Sequence, residues 1–427
     1  MGKINYVIST FHTQANIYNC HHKHQDKDKR FLDSFTKMAT TSLTQIAVQI
    51  ADPRQAQIVP YPSKPPSLQF GQILIKVSKF VLTANTVTYA MAGLHPELQY
   101  FAHYPYPNPT LALSPCWGTG IVTASKCPGI EVGLRIHGFY AMAPYAILQP
   151  KPRPSKHGQF EDITPHRLST LVPYRTYFIK PLTTSENYED LERTDGVLFS
   201  TGWGMAHSTS FLSNPPDAMV LTSASSRTAI CAAFSAKHAN NGSGLGFQVI
   251  GLTSQGNLDY VRSLDLYDVV YTYDDIKSMN SNQTIVVQDC TGSPSIQANI
   301  RLHYQHKVIG WSSVGMTHVN PSTSSIPPSR NLYGGTKAAS FLVFIALQEA
   351  AKIYGRKMQT MLNTDTKKYL KWKIPTFETE RSYGAKAALK VYQKTVANAS
   401  NPGITYVCSL WPDHETAWEG SVANSRM

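Results

Sequence analysis

Between Ala218 and Trp311 the chain repeats one pattern: a short apolar run, a turn of small or polar residues, then a segment with helical spacing. Met219–Thr222, Phe247–Leu252, Val269–Tyr273, Thr284–Asp289 and Lys307–Trp311 read as strands. Arg227–Lys237, Leu258–Ser263 and Ser295–Leu302 read as the helices between them. A short run that is apolar at successive positions is buried on both faces, and parallel neighbours need a crossover, which the helices supply. Alternation over about a hundred residues predicts a doubly wound parallel sheet with helices on both faces.

What flanks this unit has another character. Gly71–Val77, Lys79–Thr83, Gly120–Ala124, Arg135–Tyr140 and Tyr145–Leu148 are β-branched and aromatic runs that predict strands, and His95–Pro109 is a proline-broken aromatic loop. Helical spacing covers Tyr188–Leu212, then Ala338–Tyr354, Met358–Leu370 and Gly384–Asn398. A last strand at Ile404–Leu410 is expected to return to the first domain. The expected division is a disordered extension over 1–41, a β-rich domain from 42–186 and 325–427 with a helical C-terminal segment, and a cofactor domain over 187–324. Residues 1–37 are polar and rich in His, Lys and Asp, and Met38 looks like an ordinary start. Cys20, His21, His22 and His24 could ligate a metal if folded, but an unstructured extension is the simpler reading.

Composition removes several classes. With 427 residues and 42% hydrophobic content the chain can bury two or three cores, and 15% charged residues argue against disorder. A net charge of +12 is scattered, so it suits an anionic ligand better than nucleic acid. The six cysteines show no framework spacing, which points to reduced thiols in the cytoplasm. The longest apolar run, Ala338–Leu347, is too short to span a bilayer.

In a doubly wound sheet the first strand–helix turn meets a dinucleotide's phosphates at the helix N-terminus. That turn here is Ser223-Ala224-Ser225-Ser226-Arg227-Thr228, with no Gly-x-Gly-x-x-Gly. Ser223, Ser225, Ser226 and Thr228 are small or carry hydroxyl donors, and Arg227 adds positive charge; the competing reading is a simple helix cap. The second strand ends in Thr253-Ser254-Gln255-Gly256-Asn257, without the carboxylate that an NAD site wants. Thr253, Ser254 and Asn257 could donate to a 2′-phosphate, so NADPH is the expected cofactor. Tyr273 ends the third strand where adenine or ribose could pack, and Thr291 follows the fourth.

Gly71–Val77, Ile121–Val122, Gly133–Ile136 and the unit from Val220 to Val314 resemble the medium-chain dehydrogenase/reductase superfamily. More closely, Leu82–Ala90, Leu221–Ala229, Val249–Asn257 and Val314–His318 are similar to a branch catalogued as domain of unknown function 2855. The resemblance implies an α/β protein in which a GroES-like β-rich catalytic domain accompanies a Rossmann doubly wound parallel-sheet domain. Where zinc-dependent members carry ligands, this chain has Asn85-Thr86 and Trp117-Gly118-Thr119-Gly120, so no metal is expected.

Without zinc, a carbonyl must be polarised by hydrogen-bond donors and a proton source. Asn85 and Tyr89 follow the second strand and are the first candidates, with Tyr140, Tyr174 and Tyr177 behind them; the plain alternative is a turn residue and a cleft wall. The expected activity is a zinc-independent, NADPH-dependent oxidoreductase acting on an enone, quinone or enoyl thioester. The alternative is a non-catalytic Rossmann-fold binding protein. Expected partners are a small-molecule substrate, free or carrier-bound, with a homodimer allowed and neither nucleic acid nor membrane.

Overall fold

The computed structural model describes residues 43–62, 67–151, 158–180, 185–239, 242–314, 339–340 and 343–419. The N-terminal extension with Cys20, His21, His22 and His24, and the string Gly315–His318, lie outside them.

The chain opens with strands β1 (Thr44–Gln49), β2 (Ala56–Pro60) and β3 (Ile73–Leu82), then helix α1 (Ala84–Met91). Strands β4 (Leu111–Ala112), β5 (Pro115–Ser125), β6 (Arg135–Ala141), β7 (Tyr145–Leu148), β8 (Gln159–Glu161) and β9 (Thr176–Lys180) follow. β3 is buried along its whole length because it pairs with β5 and β7. Its approach to β5 depends on glycine: a Cβ at Gly118 or Gly120 would stand 2.6 or 2.5 Å from a β3 carbonyl oxygen.

Helices α2 (Glu186–Leu191) and α3 (Val197–Ser210) lead into the second half, joined by one π turn at Glu192–Gly196. The sequence spacing predicts one helix over Tyr188–Leu212. The extra residue of the π turn interrupts it and carries Asp195 inward, where its carboxylate accepts from Arg227 (2.7 Å) and Tyr369 (2.6 Å).

Strands β10 (Ala218–Thr222), β11 (Gln248–Thr253), β12 (Val269–Thr272), β13 (Ile285–Asp289), β14 (Val308–Ser313) and β15 (Ala339–Ser340) form a parallel sheet in the order β12-β11-β10-β13-β14-β15. Helices α4 (Arg227–His238), α5 (Leu258–Ser263) and α6 (Pro294–Tyr304) make the crossovers. The order reverses between β10 and β13, which opens a crevice at their carboxyl ends. Each strand expected between Met219 and Trp311 is present. Helix α3 lies so close to α4 that a Cβ on Gly202 would sit 2.5 Å from Cys231 Cβ.

The C-terminal part supplies α7 (Val343–Tyr354), α8 (Met358–Lys373), β16 (Glu378–Tyr383), α9 (Ala385–Val396), β17 (Ile404–Ser409) and α10 (His414–Trp418). β17 returns to pair with β3, as expected, and β16, which the sequence spacing missed, pairs parallel to it. One grouping needs correction. The expected β-rich domain takes in all of residues 325–427, yet Ala346, Ala350, Leu362, Tyr369 and Leu370 of α7 and α8 bury into the core of the parallel-sheet half. Their apolar stripes cover the outer face of α3 and α4, which the β-rich half does not reach. Among the described residues no helix is long and apolar enough to cross a membrane.

Candidate functional site

The first strand–helix turn starts where β10 ends. Ser223 takes the left-handed conformation (φ +51°), a region in which glycine is the ordinary occupant. Its N–H donates to the Tyr273 hydroxyl at 3.1 Å. Ser226 is the N-cap of α4, its Oγ accepting from the Ala229 N–H at 3.4 Å. Ser225 Oγ accepts from Asn257 Nδ2 at 3.1 Å, so the ends of the first two strands are joined by side chains. The first-turn N–H groups of a helix have no partner within it and present positive partial charge.

These residues wall one cleft of about 240 Å³. Ser223, Ser225, Ser226, Arg227 and Thr228 form its floor, and Thr253, Ser254, Asn257 and Tyr273 its side. Thr253 is buried and its Oγ1 has no hydrogen-bond partner. Thr291, the remaining expected cofactor residue, is not in the wall. It is fully buried and donates through N–H and Oγ1 to Asp289, which Thr222 and Gln297 also serve. Thr291 therefore satisfies a buried carboxylate at the end of β13.

Arg227, in the cleft wall as expected, has partners of its own. Its guanidinium is bound by Asp195 (2.7 Å), the Thr405 hydroxyl (2.6 Å) and the Ile404 carbonyl (3.1 Å). Its charge ties the turn to the π turn and to β17. The opposite wall comes from the end of α9, the connection after it and the start of β17, through Thr395, Asn398, Ser400, Asn401 and Tyr406. Sequence spacing missed this roof; its one local signal is the turn-forming run Asn398–Gly403, which reads equally as a plain loop.

Beyond the cleft lies a second cavity of about 670 Å³. Asn85, Leu198, Thr228 and Val314 line both, so the two spaces share a wall. Asn85 and Tyr89 sit on α1, a helix whose capping box pairs Thr83 with Thr86. Tyr89 accepts from Trp117 Nε1 at 3.0 Å. Burial pushes its phenol far above the usual range; Tyr174 adds to the rise, while Trp117 and Asn85 pull the other way. Tyr89 therefore keeps its proton at neutral pH.

Trp117 stacks on His137 (5.7 Å between centroids, 19° between planes), and burial, then Arg193 and Lys180, hold that imidazole neutral. Tyr174 also lines the cavity, whereas Tyr140 and Tyr177 are fully buried in the β-rich core. In the same lining Lys180 pairs with Glu192 at 2.8 Å. No group of three or more His, Cys, Asp or Glu able to hold a metal occurs among the described residues.

Residues 80–401 match the family described as protein of unknown function (DUF2855). No curated protein matches the chain in a sequence search. In structure the chain is similar to CurA from Vibrio vulnificus, solved in complex with NADPH, at 13% identity and a TM-score of 0.58, over 86% of this chain and 98% of that one. It is similar also to a quinone oxidoreductase of Pseudomonas syringae pv. Tomato DC3000, at 14% identity and a TM-score of 0.51, over 86% and 99% of the two chains. A mutant enoyl thioester reductase from Candida tropicalis aligns at 14% identity and a TM-score of 0.50, over 87% and 100%. The shared fold is a two-domain arrangement, a GroES-like β-rich domain with a Rossmann domain.

Proposed function

The chain belongs to the family described as protein of unknown function (DUF2855), and we propose from the geometry of its site that it is a zinc-independent, NADPH-dependent reductase of a conjugated C=C or C=O. The observation that carries this reading is the shared wall: Asn85 and Thr228 border both a cleft at the switch point of a parallel sheet and a second cavity lined by Tyr89.

The lining of the cleft would suit the phosphate-bearing part of a dinucleotide. The N-terminus of α4 with Ser225 would face the pyrophosphate. The unpartnered Thr253 Oγ1, with Ser254 and Asn257, would meet the 2′-phosphate, where a carboxylate would repel it. Tyr273 would border the adenosine, and Asn85 the carboxamide end. When bound, NADPH supplies a hydride, so the substrate takes up that hydride and one proton and NADP⁺ leaves.

Tyr89 is the proposed source of the proton. An indole N–H can only donate, so in the Trp117 contact the Tyr89 oxygen is the acceptor and its own proton is directed elsewhere. A neutral phenol so oriented can donate to the oxygen of a developing enolate and then recover a proton from water. Asn85, which borders both spaces, would hold the two reactants in register.

A fluorescence titration with NADPH and NADH tests the reading, followed by a turnover assay on enones and quinones. Binding of NADPH in preference to NADH with steady oxidation is the expected result. Binding without oxidation of any substrate would favour a scaffold that holds the dinucleotide and does no chemistry, and failure to bind either nucleotide would remove the proposal.

A further inference from the structure

We infer that the second cavity takes a planar ligand of two or more aromatic rings, free in solution and not carried on a pantetheine arm; this rests on reading the cavity as the substrate site of a reductase.

Its wall on the β-rich side is made of rings. Tyr89, Tyr100, Trp117, Tyr174 and Phe178 all face the cavity. They are fixed against one another: Tyr100 meets Tyr174 edge-on at 5.0 Å and 88°, and Tyr89 meets Phe139 at 4.9 Å and 90°. Two hydrogen bonds hold them, Tyr100 donating to Tyr174 at 3.0 Å and Trp117 to Tyr89, which leaves the Tyr89 hydroxyl proton for the ligand. On this wall a ligand meets ring surface held in place before binding, which stacks or makes edge contacts at little cost in side-chain entropy.

The facing wall, from α3 and α8, carries Leu198, Leu362 and Leu370. A volume of about 670 Å³ is the size that encloses a whole drug-sized molecule, more than a short acyl chain needs.

The charge of the lining argues against a coenzyme-A or carrier-protein thioester. Such a ligand brings phosphate groups that call for several cations. Of the cations lining the cavity, Lys180 is committed to Glu192, and Lys367 on α8 stands with Asn363 and Thr366, which are neutral.

Calorimetric titration of the full chain, with and without saturating NADPH, tests the inference with 2-naphthol, cyclohexanol and crotonyl-coenzyme A as probes. The expected result is 2-naphthol binding roughly tenfold or more tightly than cyclohexanol, with crotonyl-coenzyme A weakest. Thr366→Trp, which fills the cavity from α8, and Tyr174→Leu, which removes a ring, should each weaken 2-naphthol by about fivefold or more. Neither residue lines the cofactor cleft, so the NADPH titration serves as the control for folding. Tighter binding of crotonyl-coenzyme A, or 2-naphthol affinity unmoved in both folded variants, would overturn the inference. Because the probe is redox-inert, the two readings fail separately: ring binding without NADPH binding sinks only the reductase, and NADPH binding without ring selectivity sinks only the ring cavity.

Discussion

The phenol of Tyr273, just past the third strand of the parallel sheet, accepts the N–H of Ser223 in the first strand–helix turn at 3.1 Å. Ser223 stands where a dinucleotide fold usually places a glycine and keeps that glycine's conformation, with φ at +51°. The tyrosine compensates for the missing glycine from outside the turn.

This pairing can be tested by substitution. Ser223→Gly should fold with stability equal to or above that of the parent, whereas Ser223→Val, a β-branched residue at positive φ, should lose about 2 kcal/mol. Tyr273→Phe leaves the Ser223 N–H without its acceptor and should cost on the order of 1–2 kcal/mol. Urea unfolding reads all three, and equal losses for Gly and Val would show that the backbone is not constrained there.

The proposed choice of NADPH rests on the end of β11. Ser254→Asp places a carboxylate where the cleft is neutral, which should weaken NADPH by roughly tenfold or more while leaving NADH little changed. Parallel fluorescence titrations check it; equal effects on both nucleotides would remove the 2′-phosphate from that position.

Tyr89→Phe removes the proposed proton donor and keeps the ring. We expect kcat to fall by about a hundredfold with NADPH affinity unchanged. Stopped-flow measurement under single turnover separates the two quantities, and an unchanged rate would return Tyr89 to the role of cleft wall.

Acid stability should depend on His103. Burial first, then Arg167 and the neighbouring His166 and Arg175, lower its imidazole to about 3, and neither ring nitrogen has a hydrogen-bond partner. A folded value below the unfolded one means its contribution is complete above the unfolded pKa of about 6.5 and is lost as the pH falls toward 3. At pH 5 the penalty is about 2 kcal/mol. His103→Phe should therefore flatten the stability profile between pH 6.5 and 4, measured by thermal unfolding across that range; an unchanged slope would exclude His103 as the sensor.

Some of this was readable in the chain alone. Strands β10 to β14 and helices α4 to α6 follow from local periodicity, since each is apolar on the faces it buries. The wall residues Ser225, Thr228, Thr253 and Asn257 were legible for the same reason: topology puts the ends of neighbouring parallel strands side by side. Thr291 misled because its position past a strand end resembles theirs, while its side chain turns inward to Asp289.

The sequence by itself determined the parallel sheet, the missing glycine fingerprint and the absence of a carboxylate after β11. Each is a property of neighbours along the chain. The tertiary structure alone decided that Arg227 serves Asp195 and Thr405, that the Asn398–Asn401 loop roofs the cleft, and that α7 and α8 join the Rossmann core. Arg227 and Thr405 lie 178 residues apart, and no local pattern encodes which distant group a charge will meet. That pairing is selected only when burial makes an unpartnered guanidinium too costly to leave alone.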